Sequence, residues 1–177
     1  GLGEDLSKPL GPHSEKLGVV HAPWRESYMK LLDARDKQAQ ADPSHVAASC
    51  FLREYWLNPS EDEQNRVIVR TGEEGVNNGA GGMVLLNAYP YINGHLLVAL
   101  GESRSRLHDY DESERRELWS LVDLAVELCE MTLEPQGMNV GIIIGRAGGA
   151  GVPEHVHVHV MPRWAGDTNF STTVAGV

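Results

Sequence analysis

The sequence is short of cysteine, of long hydrophobic runs and of positive charge, and each shortage closes a class of functions. Cys50 and Cys129 are the only cysteines in 177 residues. They lie far apart in the chain, which does not read as a disulfide framework, so the cytoplasm is the expected compartment. No stretch approaches the roughly 20 apolar residues that span a bilayer, and the longest apolar runs, such as Ile142 to Ile144, are strand-sized. Gly1 to Leu17 has no basic segment followed by an apolar one and does not read as a signal peptide. With 15 Lys and Arg against 25 Asp and Glu, the formal net charge is −10. That balance argues against binding nucleic-acid polymers through counterion release. A small nucleotide is still admissible, because local backbone donors can outweigh a distant negative field, but its phosphate site has to be built locally. No internal repeat is visible.

What is present is ordinary for a globular chain: 41% hydrophobic and 23% charged residues, with a length that fits one domain. Residues 1–21 carry Gly and Pro with little periodicity and read as an extended arm. Residues 22–177 read as a single domain. Trp24, Tyr28, Leu31 and Leu32 recur at helical spacing, predicting a helix from about Trp24 to Gln40 that Asp42-Pro43-Ser44 ends. Val67 to Val69, Met83 to Leu86 and His95 to Leu100 read as strands. Gly72 to Gly82 reads as a loop, and Asn87 to Gly94 as a hairpin-type connection. Asp111, Glu112 and Glu114 suit a helix N-terminus. Leu118, Leu121, Val122, Ala125, Leu128 and Cys129 then mark one apolar face of a helix that should end before Pro135, near Gln136 and Gly137. Val140 to Ile144 is expected to be a buried strand, followed by the Gly-rich turn Gly145 to Gly151 and a strand from His155 to Met161. This order predicts an α+β fold, an antiparallel sheet of about five strands with helices packed on it.

The last of these strands carries the chemistry. Successive strand residues point to opposite faces, so His155, His157 and His159 share one face while Val156, Val158 and Val160 bury the other. A row of imidazoles backed by a row of valines is not something a core needs. An imidazole has an ordinary pKa of about 6.5, so near neutral pH much of it is uncharged and nucleophilic. A neutral nitrogen approaches phosphorus without the repulsion a carboxylate would meet, and the resulting histidine–phosphorus bond splits one hard displacement into two easier ones. The glycines at 145, 148, 149 and 151 would let backbone N–H groups close on an anion, with Arg146 as an added cation. A zinc hydrolase with the three histidines as ligands is the second reading, since alternate strand histidines can ligate zinc.

At these residues the chain resembles the histidine triad family, whose signature His-x-His-x-His followed by two apolar residues is matched by His155 to Met161. Leu86 to His95 resembles the family's Asn-x-x-Pro-x-x-x-Gly-His segment, and Gly137 to Gly141 and Ala147 to Gly151 resemble its approach to the triad. Ala22 to Tyr28 and Pro162 to Phe170 are similar to a bacterial branch containing diadenosine polyphosphate hydrolases and phosphorylases, akin to the fragile histidine triad proteins. The resemblance implies a homodimer that cleaves dinucleoside polyphosphates or related adenine nucleotides. His157 would take the nucleotidyl group as a covalent intermediate. His155 and His159 would bind phosphate oxygens, and His95 would support the site by hydrogen bonding. Asn87 would contact the ribose, and the loop of Gly149, Ala150, Gly151 and Val152 would hold phosphate through its backbone.

No cofactor is expected to be permanently bound, Mg2+ arriving with the nucleotide, and no membrane or nucleic-acid polymer is an expected partner. Three departures stand out. Ile143 occupies the place of the family's second Asn or Gln, among the substrate-binding positions. The loop between Gly145 and His155 is one residue longer than in many members. Ser49-Cys50-Phe51-Leu52 stands where some relatives carry a Cys-x-x-Cys zinc site, so no structural zinc is predicted. The Ile143 change also keeps open a nucleotide-binding or signalling protein with little turnover.

Overall fold

The computed structural model describes Lys30, residues 50–72 and residues 81–167. The predicted helix from Trp24 to Gln40 and the arm of residues 1–21 lie outside the described residues, apart from Lys30, which is helical.

Among the described residues, five strands form one sheet in the order β1-β2-β3-β5-β4, every neighbouring pair antiparallel. They are β1 (Val67–Thr71), β2 (Gly82–Leu86), β3 (Leu96–Leu100), β4 (Gly137–Ile142) and β5 (His157–Arg163). In β2 and β3 the apolar run is continuous rather than alternating, because both faces are covered. Val84, Leu96, Val98 and Leu100 face one core, and Met83, Leu85, Leu97 and Ala99 face another. The connection between β2 and β3 is the expected hairpin. Asn87 N–H donates to the His95 carbonyl at 3.0 Å, and Gly94 takes φ +74°, where an added Cβ would also strike Leu133.

The first core is roofed by the helix Glu112–Leu133, designated α3, which follows the short helices α1 (Phe51–Leu57) and α2 (Asp62–Asn65). Its start is a capping box. Asp111 accepts from Glu114 N–H at 2.9 Å, and Glu114 accepts in turn from Asp111 N–H at 2.7 Å. Leu118, Leu121, Val122, Ala125 and Cys129 are buried as the spacing predicts, with Leu128 half-buried at the margin. The helix stops at Leu133. A residue before proline is excluded from the right-handed helical region, and Glu134, ahead of Pro135, turns to φ +47°. The second core is covered by α1, whose Leu52 and Trp56 pack on it.

One expectation fails. Val140 to Ile144 is not a buried strand. β4 ends at Ile142 and, among the described residues, occupies the sheet edge and pairs only with β5, with Val140 39% and Ile144 51% exposed. An apolar run reports affinity for a neighbour, and on an edge strand that neighbour can lie outside the chain. Among the described residues, no helix is long and apolar enough to cross a membrane.

Candidate functional site

β5 lies between β3 and β4, so its two faces see different surroundings. Val156, Val158 and Val160 join the core beneath α3. His157 and His159 project to the opposite face, where Ala99 stands beside His157 and Gly141 beside His159. These small cross-strand neighbours leave room for the rings. The ring centroids of His157 and His159 are 4.9 Å apart, and those of His159 and His95 are 5.1 Å apart. His95, just ahead of β3 rather than its first residue, reaches this group from the hairpin.

The hydrogen bonds assign the ring protons. Nδ1 of His157 is 2.8 Å from the carbonyl oxygen of His155, which can only accept. His157 therefore carries its proton on Nδ1 and its lone pair on Nε2. Nδ1 of His95 accepts from the N–H of Tyr91 at 3.1 Å, so its proton sits on Nε2. That nitrogen lies 2.9 Å from Nδ1 of His159 and donates to it, which places the His159 proton on Nε2. The Tyr91 ring stacks on His95 at 5.3 Å and fixes its plane. Burial pushes the pKa of His157 down, which keeps a nucleophilic lone pair unprotonated near neutral pH.

His155 departs from its expected phosphate-binding role. It is fully buried, with Nε2 2.8 Å from the Leu100 carbonyl and Nδ1 3.0 Å from Cys50 Sγ. Both ring nitrogens are engaged inside the protein, so the ring has none to offer a phosphate oxygen. Burial pushes its pKa down to about 4.

The glycine loop also differs. The N–H groups of Gly148, Gly149 and Ala150 fold back onto the Gly145 and Arg146 carbonyls at 2.9–3.1 Å, closing a one-turn 3₁₀ helix over Arg146–Gly148. Among the described residues, no backbone–backbone hydrogen bond engages the amides of Gly151 and Val152. Gly149 and Ala150 use their donors to make the turn, which leaves the amides of Gly151 and Val152 outside it. Asn87 accepts from Tyr89 N–H at 2.9 Å and sets its Nδ2 3.3 Å from His95 Nδ1, so it holds the hairpin that carries His95. Ile143 is half-buried, and its Cγ2 lies 3.8 Å from where a Cβ on Gly148 would stand. It thus lines the loop.

Cys50 and Tyr91 were not singled out from sequence. Tyr91 lies inside the hairpin motif, but its backbone N–H carries no residue-specific signal, and the stacking of its ring on His95 follows only from the folded hairpin. The contact of Cys50 with His155 bridges 105 positions and has no local signal. Among the described residues, no group of three or more His, Cys, Asp or Glu side chains could hold a metal ion. The nitrogens of His155 turn to the Leu100 carbonyl and Cys50 Sγ, away from the other two rings.

Adjacent imidazoles whose ring protons are fixed by hydrogen bonds, on a strand backed by valine, define a histidine-lined site on one face of the sheet. The HIT domain model matches residues 81–166. The chain is 41% identical over 163 residues to the AP-4-A phosphorylase of Mycobacterium tuberculosis, covering 92% of this chain and 76% of that protein. It is 35% identical over 82 residues to the asymmetrical bis(5'-nucleosyl)-tetraphosphatase of Schizosaccharomyces pombe, covering 46% of this chain and 44% of that one. In fold it is similar to a Zn-bound histidine triad family protein from Mycobacterium smegmatis, with a TM-score of 0.55 and 24% identity over 70% of this chain and 81% of that one. The chain belongs to the HIT, or histidine triad, family.

Proposed function

We propose that this protein cleaves diadenosine polyphosphates or related adenine nucleotides through a nucleotidyl group carried on His157. The observation that carries the reading is the bond from His157 Nδ1–H to the His155 carbonyl at 2.8 Å, which leaves Nε2 as the attacking atom. Nε2 attacks the phosphorus of the adenylyl group, and the bond from that phosphorus to the bridging oxygen breaks. The departing nucleotide takes the Nε2 proton of His159, whose Nδ1 is held by His95. Water then releases the adenylyl group as the monophosphate, or inorganic phosphate releases it as the diphosphate. Identity to a protein named AP-4-A phosphorylase favours phosphate as the acceptor.

The amides of Gly151 and Val152 would face phosphate oxygens, and Ile143 would line the nucleotide's approach. Asn87 would reach the ribose with its second amide hydrogen. Mg2+ would come with the polyphosphate and neutralise part of its charge. Residues 22–177 would form one catalytic domain, preceded by the arm of residues 1–21. The exposed edge of β4, with Val140 and Ile144 outward, supports a homodimer. Two free, buried cysteines suit a reducing cytoplasm.

Quenching a reaction with labelled diadenosine tetraphosphate and weighing the protein tests the reading. An adenylyl adduct is expected on the wild type and none on His157→Ala, with a rate loss exceeding about 10³. An unchanged rate in that variant would remove His157 from the chemistry. The rival reading, a nucleotide-binding protein with little turnover, draws on the apolar Ile143. Tight adenine-nucleotide binding in a calorimeter with no product released would favour it.

A further inference from the structure

We propose that Cys50 is a positioning residue for this reaction: its thiol locks the ring of His155, and the carbonyl of His155 in turn locks the tautomer of His157. The inference rests on the reading of His157 as nucleophile and extends it to a residue outside the triad.

Cys50 is the N-cap of α1, and its carbonyl accepts from Glu54 N–H at 3.0 Å. It is buried in the second core with Leu52, Leu97, Ala99 and Val152, on the same side of the sheet as the histidine row. Its Sγ lies 3.0 Å from Nδ1 of His155. The direction of that bond follows from the other end of the ring. Nε2 of His155 meets the Leu100 carbonyl at 2.8 Å and must donate to it, so Nδ1 holds the lone pair and the thiol is the donor. Burial raises the pKa of the thiol and lowers that of the imidazole, so the pair is neutral rather than thiolate and imidazolium. A buried nitrogen deprived of its donor carries the full penalty of an unsatisfied acceptor. A ring in that state relaxes by rotating or by moving its proton, and either change disturbs the Leu100 contact.

The disturbance has a short path to the reacting atom. The His155 carbonyl accepts from His157 Nδ1, two residues on. If that carbonyl turns, His157 gains access to the tautomer protonated on Nε2, which cannot attack. α1 is thereby tied to the tautomer of the nucleophile, through a side chain 105 positions earlier than His155.

Three variants separate donation from packing: Cys50→Ala, Cys50→Ser and Cys50→Val. Valine fills the space without a donor, and serine keeps one. Two readouts apply to each: the ¹⁵N spectrum of His157 in the resting protein, and the single-turnover rate of adduct formation from labelled diadenosine tetraphosphate. Groups that orient a working imidazole from behind are typically worth about 10–100-fold. We expect Cys50→Val and Cys50→Ala to show a second His157 tautomer and a rate loss of that order, with half-saturation unchanged and Cys50→Ser recovering most of the rate. If Cys50→Ala does not fold, the comparison of Cys50→Val with Cys50→Ser stands alone. A wild-type His157 spectrum and rate in Cys50→Val would overturn the proposal, as would a Cys50→Ser variant as slow as Cys50→Val. The spectrum needs no substrate. A wild-type protein that forms no adduct would therefore count against nucleotide cleavage and leave Cys50 to be judged on the tautomer.

Discussion

Nε2 of His95 stands 2.9 Å from Nδ1 of His159, across 64 positions of sequence and from the hairpin to the neighbouring inner strand β5. The bond has a direction, because Tyr91 N–H occupies the other nitrogen of His95. His159 thus presents a proton rather than a lone pair.

Replacing His95 by alanine removes that direction. His159 becomes able to hold its proton on Nδ1, and in that fraction of molecules the proposed acid for the leaving nucleotide is lost. Turnover of diadenosine tetraphosphate should fall about 10–100-fold, with little change in KM, while circular dichroism stays that of the wild type. A raised KM with kcat unchanged would instead point to lost binding.

Acid should unfold this protein through His155. Its folded pKa of about 4 lies below its ordinary 6.5, so between these values the unfolded chain binds a proton that the folded chain does not. Stability therefore rises with pH across that window and is lost as pH falls from about 6.5 towards 4, by roughly 3 kcal/mol for this group if nothing offsets it. The lowered pKa of His157 acts in the same direction. Chemical denaturation at a series of pH values checks the sign. A midpoint indifferent to pH between 6.5 and 4 would contradict it.

Gly101→Ala should destabilise the protein by crowding Trp56. A Cβ at that position would overlap Cε2 and Nε1 of Trp56. The indole has little room to yield, since Arg70 lies 4.8 Å from its ring centroid and donates to the Trp56 carbonyl at 2.9 Å. Overpacking of this kind costs about 1–3 kcal/mol, readable from the urea midpoint.

Val140→Lys probes the proposed dimer. A lysine on the open edge of β4 should block strand or side-chain contact with a second copy. Sedimentation should then find the wild type dimeric and the variant monomeric at the same concentration. A wild type that sediments as a monomer would remove the dimer from the account.

Much of this architecture is legible in the residues themselves. The period-2 register of His155 to Val160 states both the face and its backing, and the spacing from Leu118 to Cys129 states which side of α3 is buried. Such patterns are local, and local patterns survive folding. The rank of a strand within its sheet is not local, which is why Val140 reads as core and stands at the rim. Glycines mark where a chain can turn, not where its amides then aim, and Gly149 and Ala150 aim back into their own turn. Pairings such as Cys50 with His155 arise only when distant segments meet, and neither residue advertises the other.

The slot held by β5 has a consequence for biogenesis. It comes last of the five strands in sequence, yet it fills an inner position between β3 and β4. Until it emerges from the ribosome, the nascent chain carries two raw strand margins, each with ungreeted peptide groups open to a wrong partner. The segment that bears His157 and His159 is thus also the one that seals the half-made sheet, so a translation product cut short of it lacks the histidine row and leaves both margins bare.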